Sequence, residues 1–137
     1  MSDSLHISRW IKFAQRDYDT AENIATLHNP VPIEIVCYLC QQSSEKILKA
    51  YAIAKGEPPI KTHDLDNVLK LCIKHDSRFS AFEDICPALT GYATATRYPA
   101  DEDLLSEHDM KFALKNSFEL LEFTKARIAE LGQKEGE

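Results

Sequence analysis

Two cysteines with the spacing of zinc and redox sites are the first residues of this sequence that could carry chemistry. Cys37 and Cys40 are separated by two residues, but a four-cysteine zinc site would need a second close pair, and Cys72 and Cys86 are fourteen positions apart. A redox pair would need its first thiol at a helix N-terminus, where the helix dipole lowers the thiol pKa. Because the pair falls inside a predicted helix, we interpret these cysteines as buried core residues.

Other motifs of metal, nucleotide and hydrolase sites are absent from the sequence. No Glu is followed by a His three residues later, as di-metal carboxylate bundles require. The Gly-rich loops that cradle phosphates and the Gly-x-Ser-x-Gly turn of hydrolases are also missing. The sequence therefore predicts neither a bound metal ion nor a cofactor.

Three short polar segments remain as candidates for a functional site, and each can also be interpreted as an ordinary part of a helix. The first is a stripe at helical spacing, formed by Gln42, Glu45, Lys46 and Lys49. Taken alone, it is typical of a solvated helix face with a Glu–Lys pair that contributes a few tenths of a kcal/mol. The second, Lys-Thr-His-Asp-Leu at 61–65, is typical of a helix start, and the third, Arg-Tyr-Pro at 97–99, of a helix end.

Length and charge limit the classes of protein. The 137 residues suit one core, so we expect a single helical domain over 1–137, with its core at about 8–131 and a polar tail at 132–137. The formal net charge of −6 argues against a protein that coats duplex DNA, while a local basic patch stays open. No apolar run approaches the roughly 20 residues of a membrane-spanning helix, and the first residues lack signal-peptide features. These features predict a cytoplasmic protein without membrane contact.

Helical periodicity predicts an all-α, up-down bundle of about five helices. The expected segments are about 8–27, 33–55, a short helix that opens within 61–65 and ends near 75, 77–97 and 107–131. Pro87 should split the fourth segment into a short turn and a new helix capped by Asp84. Thr62 or Asp64 is the expected N-cap of the third helix, and Ser106 with a carboxylate three residues later predicts a near capping box for the last.

The polar segments occur in a recognisable order. Trp10 with Ala14 and Asp17 comes first, followed by the stripe from Gln42 to Ala50, then Thr62-His63-Asp64-Leu65, then Arg97-Tyr98-Pro99. This series resembles the HEPN domain, an all-helical family, over about residues 8–131. The resemblance implies a helical bundle that pairs as a homodimer. It also implies nucleotide binding, a small nucleotidyltransferase as partner, and a toxin–antitoxin or defence context.

Many HEPN proteins are metal-independent ribonucleases with an Arg and a His separated by four to six residues. The corresponding window after Arg97 holds Glu102, Asp103 and Leu104, and ten residues separate His108 from Arg97. Metal-free RNA cleavage needs an imidazole and a cation on the phosphate. Arg97 and His108 are thus weak catalytic candidates, and we predict weak RNA cleavage at most.

The leading hypothesis is a HEPN-type homodimer that binds a nucleotide, an RNA or a nucleotidyltransferase. The expected phosphate ligands are Lys46, Lys49 and Arg97, with Lys61 or His63 at the rim. The residues expected to support the site structurally are Asp17, Gln42, Glu45, Asp64 and Tyr98. The alternatives are a ribonuclease toxin that uses His108 and a purely structural dimer without a ligand.

Two further expectations concern packing. Asp17 lies in the middle of the apolar stripe of the first helix, which we expect to include Trp10 and Phe13, and a buried carboxylate without a partner is costly. We therefore expect Asp17 to pair with Lys46, Lys49 or Arg97. Two phenylalanines eleven residues apart on the far side of the last helix, Phe112 and Phe123, predict a second buried face and hence a dimer.

Overall fold

The structure is a computed structural model that describes residues 2–95 and 105–135, with side chains described over 5–92 and 105–132. Over these residues the chain forms five α-helices and one 3₁₀ turn. They are α1 (Ser2–Leu27), α2 (Ile33–Ala54), α3 (Leu65–His75), the 3₁₀ turn (Ser77–Phe82), α4 (Cys86–Ala95) and α5 (Glu107–Glu135). The predicted all-α bundle is confirmed. None of the described helices is long and apolar enough to cross a membrane.

Helix α2 lies at the centre of the bundle and packs against α1, α3, α4 and α5. Its contact with α1 is the most extensive, and small residues on both helices are buried there. The hydroxyl of Ser43 donates a 2.8 Å hydrogen bond to the backbone carbonyl of Ala14, and both residues are fully buried. The buried hydroxyl of Ser43 thus has its hydrogen-bond partner within the protein.

The buried face of α1 differs from the predicted apolar stripe at Phe13 and Tyr18. Ala14, Tyr18 and Ala21 are buried, whereas Phe13 is 36% exposed, so the prediction that Phe13 belongs to the core is wrong. Adjacent helical residues point about 100° apart. The burial of Ala14 and Tyr18 therefore leaves Phe13 on the outside of the bundle. Helix α1 also begins at Ser2, several residues before the expected start.

The predicted caps at two helix starts are present. The Asp64 carboxylate accepts a 2.9 Å hydrogen bond from the backbone N–H of Asp66, which makes Asp64 the N-cap of α3. At the start of α5, the Asp109 carboxylate accepts a 2.7 Å bond from the backbone N–H of Ser106. The Ser106 hydroxyl accepts in return from the Asp109 N–H, at 3.2 Å. This reciprocal pattern is that of a capping box.

The break before α4 follows the prediction except for its cap. Pro87 is the second residue of α4, where the missing N–H is tolerated. The helix begins at Cys86, so Asp84 lies too early to be its N-cap, and that prediction is wrong. Residues 83–85 form a turn, in which the Ile85 N–H donates to the Phe82 carbonyl at 3.3 Å.

The four cysteines are core residues, as predicted. Cys37, Cys40, Cys72 and Cys86 are all fully buried and free. Burial raises the pKa of Cys37, Cys72 and Cys86 to about 12 and that of Cys40 to about 11. These thiols therefore stay protonated at neutral pH and are poor nucleophiles.

The predicted second face of α5 is covered by the same chain. The ring centroid of Phe123 lies 5.1 Å from that of Phe79 and 5.1 Å from that of Phe82, both in the 3₁₀ turn. Phe112 is also partly buried against the core. The argument for a dimer therefore fails for Phe123, because the 3₁₀ turn packs where a partner was expected.

Candidate functional site

The polar stripe on α2 contains a buried ion pair. The ammonium of Lys49 donates to the Glu45 carboxylate at 3.1 Å, and each side chain is only 5% exposed. The interpretation of this stripe as a solvated face is wrong for these two residues. The segment after α2 and helix α1 cover this side of α2, as the contacts of His63 and the residues lining the neighbouring cavity show.

Three further side chains complete the hydrogen bonding around Glu45. The amide of the fully buried Gln41 donates to Glu45 at 3.4 Å, and His63 Nδ1 lies 3.2 Å from both carboxylate oxygens. Gln42 donates to the Gln41 carbonyl oxygen at 2.7 Å. A buried ion pair is tolerated only when its remaining groups are hydrogen-bonded in this way. Through His63, whose own side chain is 76% exposed, the network contacts the segment between α2 and α3.

Lys46 is the cation that pairs with Asp17. Its ammonium lies 2.5 Å from the Asp17 carboxylate, and the two side chains are 24% and 14% exposed. The expected pairing of Asp17 is therefore present, with one of its three candidate partners. Asp17 thus compensates the charge of Lys46 as Glu45 compensates that of Lys49, and Lys46 stays a predicted phosphate ligand.

A cavity of about 510 Å³ lies beside the buried ion pair. Helix α1 contributes His6 and Trp10 to its walls, α2 contributes Lys49 and Ile53, and the segment 56–60 closes it. Its volume falls within the range of small-molecule sites, which are mostly apolar with a few placed polar groups. A partly exposed indole and a buried ammonium in one cavity can hold a planar ring and one of its acceptor atoms.

The turn at Gly56 folds segment 56–60 back over Lys49. Gly56 has a φ of +93°, the left-handed conformation that glycine adopts without strain at the end of a helix. The N–H of Glu57 donates to the Ala52 carbonyl at 3.0 Å, so the chain reverses immediately after α2.

The carboxylate of Glu57, which also lines the cavity, is held by α3. It accepts from His75 Nε2 at 2.9 Å and from the Lys74 ammonium at 3.4 Å. The hydrogen bond from His75, followed by that from Lys74, lowers the pKa of Glu57. The charge of Glu57 is thus compensated by α3 and repels an anion in the cavity less than a free carboxylate would.

The other predicted site residues are divided among three places. Lys61 is exposed and directly follows the lining residue Ile60. His108 is exposed on the first turn of α5, in a shallow hollow with Lys111, Phe112, Lys115 and Asn116. That hollow shares no lining residue with the cavity. Arg97 and Tyr98 lie outside the described residues.

No sequence motif predicted the cavity as a site, although two of its lining residues, Trp10 and Lys49, belong to motifs described above. Trp10 was part of the family resemblance and Lys49 part of the polar stripe. A sequence signal for the cavity was Gly56 seven residues after Lys49, because a glycine at the end of α2 lets the chain turn back toward Lys49. In the described part of the chain, no three His, Cys, Asp or Glu side chains are grouped so that they could hold a metal ion.

The protein is an all-helical bundle with a buried ion pair on its central helix, and comparison with known proteins supplies the family. The chain matches the HEPN domain family over residues 7–128, and it belongs to that family. The crystal structure of an archaeal HEPN homologue has the same fold, with a TM-score of 0.71. That protein shares 23% sequence identity, and the match covers 89% of this chain and 97% of the archaeal chain. No curated protein matches the sequence.

Proposed function

We propose that this HEPN protein binds a nucleotide, with the base in the cavity beside Trp10 and the phosphate at the cavity mouth. The observation that carries the proposal is that a buried ammonium, Lys49, and the indole of Trp10 line the same cavity. Stacking of a base on an aromatic side chain contributes about 1–3 kcal/mol and tolerates any base. Such a site binds nucleotides without requiring a Gly-rich loop.

The polar contacts of the ligand depend on the N–H donors of Lys49 that do not bind Glu45. An ammonium carries three donors, and the Glu45 carboxylate accepts one of those of Lys49. The other two can serve a carbonyl or phosphate oxygen in the cavity. Lys61 and His63, which follow the lining segment, are the proposed contacts at the mouth. Arg97 stays a predicted phosphate ligand.

The proposal includes assembly. HEPN domains commonly dimerise, and we propose a homodimer with a small nucleotidyltransferase as partner in a toxin–antitoxin or defence system. Four buried free thiols suit the reducing cytoplasm in which such systems act. Sedimentation of the protein at micromolar concentration tests the dimer, and copurification with the product of an adjacent nucleotidyltransferase gene tests the partner.

Trp10 provides a direct test of nucleotide binding because it is the only tryptophan in the chain. Its fluorescence should change saturably as AMP, GMP, CMP or UMP is added. Ile53→Glu, which places a carboxylate in the cavity, should abolish the change. Ile35→Glu on the same helix, at a position 46% exposed, should retain it. A fluorescence response that is absent with all four nucleotides, or is equal in both variants, would refute the proposal.

A second candidate function, weak metal-independent RNA cleavage, is favoured by the surroundings of His108. This exposed imidazole lines a hollow with Lys111 and Lys115, which supplies a proton-transfer group and two cations. The Arg–His spacing of the ribonuclease members is absent, so we expect any cleavage to be slow. If His108 is the general base, cleavage of total RNA should fall about 10²–10⁴-fold in His108→Ala. Undiminished cleavage by that variant would exclude this function for His108.

A further inference from the structure

We propose that the cavity is one end of a binding track for single-stranded nucleic acid along the outer face of α1. The ligand would then be a short oligonucleotide rather than a free mononucleotide. This inference rests on the proposed function, because it takes the cavity as the site of one base.

Helix α1 carries a basic stripe that stands out against the acidic chain. Residues 5–16 include Arg9, Lys12 and Arg16 and contain no Asp or Glu, whereas the whole chain has a net charge of −6. The three cations follow the i, i+3, i+7 spacing that places residues on one helix face. All three side chains are exposed. We call these three residues the α1 basic stripe.

The charges of this stripe are available to a ligand. Over residues 5–92 and 105–132, none of the three cations takes part in an ion pair, in contrast to Lys46 and Lys49. Lys12 and Arg16 line an open groove between α1 and α5 together with Lys125. Asp19 is the one acidic residue lining that groove, so cations exceed carboxylates there by three to one.

Aromatic rings alternate with these cations and connect the stripe to the cavity. His6 and Trp10 line both the cavity and a shallow hollow that also contains Arg9 and Phe13. The guanidinium carbon of Arg16 lies 4.6 Å from the centroid of the Phe13 ring. Phe13 is one of the exposed large apolar side chains, which core packing does not explain.

The spacing of the stripe fits the backbone of a single strand. Arg9 and Arg16 are seven residues apart, which corresponds to about 10 Å along a helix. A stacked strand carries a phosphate about every 3.4 Å, so this length covers about three phosphates. Grooves that bind single strands combine cations along the backbone with aromatic rings under the bases. Trp10 and Phe13 supply the rings, and the stripe supplies the cations.

The charge complementarity gives a measurable salt dependence. Each neutralised phosphate of a single strand contributes about −0.7 to the slope of log affinity against log salt. Three contacts therefore predict a slope of about −2 for a tetranucleotide. A mononucleotide held mainly by stacking in the cavity should show a much smaller slope.

The test compares the binding of a mononucleotide and of a tetranucleotide to the wild type and to two triple variants. Mononucleotide binding is followed by Trp10 fluorescence. Tetranucleotide binding is followed by Trp10 fluorescence and by the anisotropy of a labelled tetranucleotide. Arg9→Ser/Lys12→Ser/Arg16→Ser removes the stripe. Lys55→Ser/Lys70→Ser/Arg78→Ser is the control for net charge, since it removes three positive charges outside α1 and outside the hollow of His108. At low salt, the stripe variant should lose at least about tenfold in tetranucleotide affinity and most of the salt slope. Its mononucleotide affinity should stay within about twofold of wild type, and the control should retain both affinities.

The outcomes separate this inference from the proposed function. If mononucleotides bind but the tetranucleotide binds no more tightly, or the control variant loses as much as the stripe variant, the track is refuted and the cavity assignment stands. If tetranucleotide binding depends on the stripe but no mononucleotide binds, the track stands without the cavity. Stripe-dependent binding to phosphatidylserine vesicles, with no tetranucleotide binding, would assign the stripe to a membrane surface and overturn the proposal. Parallel titrations with RNA and DNA tetranucleotides identify the sugar preference.

Discussion

The Lys49 ammonium lies 3.1 Å from the Glu45 carboxylate one helical turn away, and both side chains are 95% shielded from solvent. An i, i+4 pair on an exposed helix contributes little, whereas removal of one partner from a buried pair leaves an uncompensated charge. Removal of one partner from the Glu45–Lys49 pair should therefore lower the stability more than the same change in an exposed pair, because the surrounding chain covers Glu45 and Lys49.

Double substitution of this pair should be less damaging than the sum of the single ones. Glu45→Leu or Lys49→Met alone should lower the free energy of unfolding by about 3–5 kcal/mol, since each leaves a buried charge without its partner. The double variant should recover about 1–3 kcal/mol relative to additivity. Urea denaturation of all four proteins measures this coupling. Additive losses would show that the two groups are solvated independently.

Phe123 should behave as a core residue. Its ring packs against Phe79 and Phe82, so Phe123→Ala should destabilise the protein by about 3 kcal/mol. The matched control is Phe118→Ala on the same helix, at a residue 44% exposed, which should cost less. Thermal unfolding gives both values. A change in sedimentation of Phe123→Ala without a loss of stability would instead place Phe123 in an interface.

The contact of Glu57 with α3 predicts an acid-dependent loss of stability. The hydrogen bonds from His75 and Lys74 lower the pKa of Glu57 in the folded state below its ordinary value of 4.5. The contribution of Glu57 is therefore complete above pH 4.5 and is lost as the pH falls through the lower, folded-state pKa. The difference in urea midpoint between wild type and Glu57→Gln should be larger at pH 7 than at pH 3. Equal differences at the two pH values would show that the Glu57 carboxylate gains nothing from its contact with α3.

The four cysteines should be unreactive in the native protein. Burial raises their thiol pKa values to about 11–12, so the nucleophilic thiolate is scarce at pH 8. A thiol-specific chromogenic reagent should label fewer than one thiol rapidly in the folded protein and four in urea. Fast labelling of two thiols without denaturant would indicate that the Cys37–Cys40 pair is accessible, as a redox site requires.

Signals that act within a few residues were sufficient to predict the helices. The Asp64 cap and the Ser106–Asp109 capping box satisfy orphan N–H groups of their own helices, and Pro87 acts on its own backbone. None of these effects needs a distant partner. The family resemblance likewise depended on the order of short motifs along the chain, and the predicted fold is confirmed.

The tertiary structure decided which polar residues are shielded and which aromatic residues are exposed. Glu45 and Lys49 are buried because the segment after Gly56 returns over α2, and Phe123 is covered because the 3₁₀ turn packs on α5. Phe13 is exposed because Ala14 and Tyr18 occupy the contact face of α1. Helical periodicity indicates which residues share a face, but burial depends on what packs against that face, and those contacts come from residues far away in the sequence.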